Sequence, residues 1–206
     1  MNHAAAFVML ICVLLTAGCS FLDWGPLPAR PTSEPLPSPM PENKLSTIEP
    51  SAMALQISDL PDGYSIRERS DVSYTEISPM ARDEGWKKGY YVAFYRLNVK
   101  NYDITGITQQ ISIYPLNRMA LIFDELKNNL ITQGNSTVSV TELPFPKTGD
   151  RTIALRSFDE NDQYGIITYT VIFTKKDALE QIEMRGTTTD YEALKEIALK
   201  AALKIQ

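Results

Sequence analysis

The sequence predicts an α+β fold, a largely antiparallel sheet of about six to eight strands packed with two or three helices. Three observations carry this. Short segments between Met53 and Arg185 are β-branched or aromatic, and the clearest of them alternate apolar and polar residues with the two-residue period of a strand. Met119, Ile122, Phe123, Leu126 and Leu130 instead follow the spacing of one apolar helix stripe. Turn and cap residues stand between these segments at the right places.

Met53–Ile57 reads as a short strand, followed by the turn Leu60-Pro61-Asp62-Gly63. Tyr64–Arg69 reads as the next strand. Ser78-Pro79 has the chemistry of a helix start: the hydroxyl caps the first turn, and proline at the first position loses no useful donor. Gly85 then suits the end of that helix. Tyr90–Leu97 is aromatic and β-branched enough for a strand. In the strand after it, Ile107, Ile111 and Ile113 share one face, with Thr108, Gln110 and Ser112 opposite.

The Met119–Leu130 helix ends at Gly134. Val138 and Val140 mark a strand, then Arg151–Phe158, then Gly165–Phe173. The last of these is apolar or aromatic on both faces, which predicts a strand covered on both sides. Leu179–Arg185 follows the turn Lys175-Lys176-Asp177. Thr189 and Glu192 form a capping-box pattern opening a final helix that turns Leu194, Ile197, Ala198, Ala201 and Ile205 inward.

The residues before Ser51 have a different character. Ala4–Leu15 is an apolar run that leads into Thr16-Ala17-Gly18-Cys19. Its length fits the apolar region of a secretory signal, ~7–15 residues, and falls short of the ~20 needed to span a bilayer. Small residues closing on a cysteine resemble a bacterial lipobox. That resemblance implies a signal peptide over 1–18 and palmitate-type acylation of Cys19 as the mature N-terminus. Two features depart from the usual pattern: Met1-Asn2-His3 holds no Lys or Arg, and Thr16 stands where leucine is usual. Residues 19–50 then read as the lipidated cysteine and a stalk, because eight of the chain's 13 prolines fall between Ser20 and Pro50. Proline removes the donor and fixes φ, so neither helix nor sheet propagates there, and the tract is expected to be extended.

Residues 51–206 read as a single α+β domain, long enough to bury a sizeable core. Two of the 20 basic and four of the 25 acidic residues lie before Ser51, which leaves 18 against 21, a net charge of −3. Charges of both signs are interspersed, so there is no basic face for nucleic acid. Of the two cysteines, Cys12 lies in the signal and Cys19 would carry lipid, so the domain has neither thiol nor disulfide.

Leu60-Pro61-Asp62-Gly63-Tyr64 opening the domain, the strand–strand–helix unit at its centre, the hairpin at Phe173–Leu179, and Arg185-Gly-Thr-Thr-Thr-Asp-Tyr191 before the last helix together resemble the PsbP-like fold. That family includes photosystem accessory subunits and lipoproteins of the mycobacterial LpqN type. The resemblance spans Met53–Gln206, rests on element order and turn chemistry, and implies a non-catalytic accessory or binding domain. It names no site residue, and fold alone does not fix function.

The residues themselves exclude several chemistries. His3 is the one histidine and belongs to the signal, so the domain lacks a Ser-His-Asp or Cys-His nucleophile and the usual Cys/His zinc ligands. There is no phosphate loop of the Walker type and no Gly-x-Gly-x-x-Gly. No catalytic, cofactor or metal residue is therefore expected. Three positive features remain. Asp159-Glu160-Asn161-Asp162 offers oxygen ligands but lacks the spacing of a Ca²⁺ loop, and reads as a hairpin turn. Trp86, Tyr90, Tyr91, Phe94, Tyr95, Tyr102 and Tyr114 form an aromatic set, either core or binding patch. Asn135-Ser136-Thr137 is a candidate glycosylation site at Asn135.

The expectation is thus a lipoprotein on the extracytoplasmic face of the cell membrane, anchored through Cys19, whose domain binds an unknown protein or small ligand and needs no cofactor. The alternatives are an envelope-polymer enzyme, which needs two converging carboxylates, or a purely structural envelope protein.

Overall fold

The computed structural model describes residues 48–98, 103–132, 134 and 137–205, all within the unit Pro41–Gln206. Cys19, the signal and stalk up to residue 47, Asn135 and Tyr102 lie outside the described residues.

Seven strands form one antiparallel sheet: β1 Ser65–Val72, β2 Lys88–Asn98, β3 Asp103–Ile113, β4 Val138–Leu143, β5 Arg151–Asp159, β6 Ile167–Lys175 and β7 Ala178–Gly186. Their order across the sheet is β1-β2-β3-β7-β6-β5-β4. Four helices accompany them: α1 Pro50–Met53, α2 Pro79–Asp83, α3 Met119–Thr132 and α4 Tyr191–Lys204. The fold is therefore the α+β sheet the sequence predicts. Most neighbours in the sheet are also neighbours in sequence; the exception is β3 beside β7, which closes the two halves into one layer.

Each half of the sheet supplies residues to two cores. Along β3, Ile107, Gln109, Ile111 and Ile113 share one face, and their partners Met184, Ile182, Glu180 and Ala178 continue it on β7. α4 lies over this face with Leu194, Ile197, Ala198 and Ala201 inward, and α1 adds Met53. Phe94, Val171 and Phe173 are fully buried between them. The opposite face is covered by α3 over β5, β6 and β7, where Ile122 and Phe123 meet Ile153, Leu155, Ile172 and Leu179. β6 sends Val171 and Phe173 to one core and Ile172 to the other, which explains its apolar character on both faces.

Local chemistry agrees with the sequence at most ends. The Ser78 hydroxyl accepts the Ala81 amide at 3.1 Å, with Pro79 next in line. Gly85 follows α2 at φ +78°, where a side chain would be strained. Two expectations are corrected. Met53–Ile57 is not a strand: proline at the first turn gives α1, and Ile57–Asp59 is a 3₁₀ turn in which Asp59 accepts the Gln56 amide at 2.7 Å. The cap of α4 is Asp190, not Thr189. Its carboxylate takes the Glu192 and Ala193 amides at 2.9 and 3.2 Å, because an aspartate one residue closer to the helix satisfies two orphan donors at once.

Candidate functional site

The two faces differ in how completely they are covered, and the site follows from that. On the α3 face, α2 and Trp86 cover one end of β2 and β3, while α3 lies across the other half of the sheet. Between them is a cleft of about 230 Å³. Its floor is two cross-strand rows: Ser112 opposite Leu179, and Gln110 opposite Gln181. Ile77, Met80 and Ala81 form one wall with Trp86; Ile122 and Leu126 form the other.

Trp86 reaches this position because Gly89 gives it room. A Cβ on Gly89 would fall 3.2 Å from the indole and 2.8 Å from the Ile111 carbonyl. The indole therefore packs against bare backbone on β2. Tyr114 closes the inner end of the cleft. Burial, with the Glu84 carboxylate nearby, pushes its hydroxyl up to about 12, so it stays a neutral phenol. Glu84 is held by Arg118 Nε at 2.7 Å.

The mouth is formed by the turn before α2. Arg82 donates to the Thr75 and Ile77 carbonyls at 3.2 and 3.0 Å and lies 5.5 Å over the Tyr74 ring. Tyr74 is exposed, 6.3 Å from Trp86 ring to ring. Among the described residues Glu76 is the one carboxylate in the lining, and it accepts the Ser73 amide at 2.8 Å.

Beyond the cleft the same face continues as polar rows. Ala93, Thr108, Glu183 and Thr170 stand opposite one another across β2, β3, β7 and β6; Tyr95, Gly106, Arg185 and Thr168 form the next row. Burial raises the Glu183 carboxyl, and Arg185 pulls it back part of the way.

The aromatic set divides by face. Trp86 and Tyr114 line the cleft. Phe94 and the half-buried Tyr90 belong to the α4-side core. Tyr91 sits opposite Gln110, on the row that floors the cleft, and the exposed Tyr95 on the row with Gly106 and Arg185. The run Asp159–Asp162 is a hairpin turn whose carboxylates cap their own backbone: Asp159 accepts the Asn161 amide at 3.0 Å and Asp162 the Tyr164 amide at 2.9 Å. The sequence missed Ile77, Met80, Gln110 and Gln181 as a group. They come from the loop before α2, from α2, from β3 and from β7; the register of β3 on β7 sets Gln110 beside Gln181, and only tertiary packing brings Ile77 and Met80 over them.

No family model matches the chain, and no curated protein matches it. Among solved structures, the chain is similar to the extracellular domain of PknH from Mycobacterium tuberculosis. It is 12% identical with a TM-score of 0.57, over 75% of this chain and 93% of that one. The likeness is one of fold. Among the described residues, no helix is long and apolar enough to cross a membrane.

Proposed function

We propose that this chain is an extracytoplasmic lipoprotein, anchored through acylated Cys19, whose PsbP-like domain binds a ligand or partner and catalyses nothing. The observation that carries the binding reading is the cleft between α2 and α3. Its walls are apolar and aromatic, and its floor offers a few amides and a hydroxyl for orientation, the usual make-up of a ligand pocket. At about 230 Å³ it is larger than the ~150 Å³ apolar cavities that hold benzene and smaller than drug-sized pockets of ~300 Å³ upward. It suits a single ring or a short aliphatic group: the end of a small molecule, or one side chain of a partner. A single carboxylate in the lining, Glu76, supports binding over hydrolysis by a carboxylate pair. The similarity to an extracellular domain supports the proposed location, as does the lipobox resemblance at Cys19.

Two measurements test the reading. Intact-mass analysis of the native protein is expected to give an N-terminus at Cys19 with added acyl mass; an unmodified start elsewhere overturns the anchor. Titration with 1-anilinonaphthalene-8-sulfonate is expected to show saturable binding that Met80→Trp abolishes. Binding that survives the plugged cleft, or none in the parent, overturns the site.

A further inference from the structure

The α4-side core contains a polar chain that the binding reading does not use. Glu180 lies on the central strand β7, fully buried, with Phe173 opposite it on β6 and Ile111 opposite it on β3. One carboxyl oxygen, Oε2, accepts from Gln109 Nε2 at 2.9 Å. Gln109, also fully buried, uses its own Oε1 to accept the Leu55 backbone amide at 2.7 Å. The other oxygen of Glu180 is buried without a hydrogen-bond partner among the described residues. Leu55 lies just past Ala54, the residue that ends α1, in the segment through which the domain continues into the residues before 48.

A buried carboxylate with one unsatisfied oxygen is costly, whereas a protonated carboxyl is tolerated. The charged groups that act on Glu180 are Lys175 of β6 and Lys204 of α4. Both are engaged elsewhere: Lys175 donates to the Ala202 carbonyl at 2.9 Å, and Lys204 pairs with Asp59 at 2.9 Å. From β3 the polar group is the neutral Gln109, and from the α1 segment it is the Leu55 amide. Burial therefore dominates and raises the carboxyl to about 8. Gln109 is the one hydrogen-bonded link between that proton and Leu55, and its amide must keep both bonds in a dry site.

We propose that Glu180, Gln109 and the Leu55 amide form a proton-dependent latch that docks the segment 50–58 on the sheet and loosens it as the medium turns alkaline. When Glu180 ionises, the carboxylate draws water or moves toward it, Gln109 follows, and the Leu55 amide loses its acceptor. Asp59 is tied to the far end of α4 through Lys204 and Lys200, so the opening is confined to residues 50–58.

Amide hydrogen exchange on the full chain tests this, with rates corrected for intrinsic pH dependence. Leu55 protection is expected to fall by up to tenfold per pH unit between about 5 and 8, and at each pH to lie below that of Val171 and Ile182 on the central strands, which exchange only when the whole core unfolds. In Glu180→Gln, Leu55 protection is expected to be independent of pH. Equal slopes for Leu55 in both proteins overturn the latch. So does Leu55 protection as high as that of the central strands, since Leu55 then exchanges only when the whole core unfolds. Gln109→Met gives a second check: Leu55 is expected to be unprotected at every pH while Glu180 still titrates, and retained protection there overturns the link.

Discussion

The two faces of the sheet are built from the same strands and put to different use. On the α4 face the apolar set is continuous from Phe94 through Ile107 and Met184 to Val171, and α4 and α1 seal it. On the α3 face, Ile153, Leu155 and Ile172 are sealed by α3, but among the described residues Gln110, Thr108, Glu183 and Arg185 are not part of that core. Alternation along one strand produces both results: β7 turns Ile182 and Met184 one way and Gln181, Glu183 and Arg185 the other. The lesson is that stability is concentrated on one face, which leaves the other free to carry a cleft and a polar surface.

The largest test compares one residue from each face. Phe173→Ala, in the sealed core, is expected to cost about 3–5 kcal/mol in denaturant unfolding, from lost transfer energy and the cavity left behind. Leu126→Ala, on the half-covered cleft wall, is expected to cost about 1 kcal/mol, because its side chain already meets solvent on one side and the site can relax. Similar costs would mean that the α3 face is as much a core as its opposite, and the division of labour would fail.

The second test uses two glutamates of β7 that face opposite ways. Glu180 is sealed under α4, and its carboxyl is raised from 4.5 to about 8. Its folded value is above its unfolded one, so the native state holds a proton that the unfolded chain has lost. Stability is full below about 4.5, falls by up to ~1.4 kcal/mol per unit between there and about 8, and is flat above. Glu183 is raised in the same direction, but it lies on the open rows beside Arg185. Unfolding midpoints measured across this range are expected to lose most of their pH dependence in Glu180→Gln and little of it in Glu183→Gln. The reverse order would place the drier environment on the wrong face.

Capping gives a smaller contrast, and it shows how far the sequence could be read. Asp190→Ala removes the acceptor for two amides of α4 and is expected to cost about 1 kcal/mol; Ser78→Ala frees one amide of the five-residue α2 and is expected to cost about 0.5. Thermal unfolding of both variants checks this. The period-two runs, the α3 stripe and the caps at Ser78 and Gly85 were legible because they depend on neighbours in the chain. Pro50–Met53 was not: its apolar residues face a core that exists only once β2, β3 and α4 assemble. Asp190 lost to Thr189 because both are good caps, and only the formed helix shows that the aspartate carboxylate reaches two of its amides. The cleft was least legible, since Trp86 was visible as an aromatic but its partners Gln110 and Gln181 looked like the solvent side of two strands.

The smallest expected change in stability belongs to the most informative substitution. Met80 is half-buried on the α2 wall, so a larger side chain can enter the cleft without displacing backbone. Met80→Trp is expected to leave unfolding within about 0.5 kcal/mol of the parent, while filling the space between Trp86 and Leu126. If the cleft is a site, ligand binding disappears with stability unchanged. If it is only an imperfect join between α2 and α3, filling it stabilises the domain by recovering lost contacts, and binding elsewhere persists. The two outcomes move opposite observables, so a single variant decides whether the open face is there for a ligand or is a defect in packing.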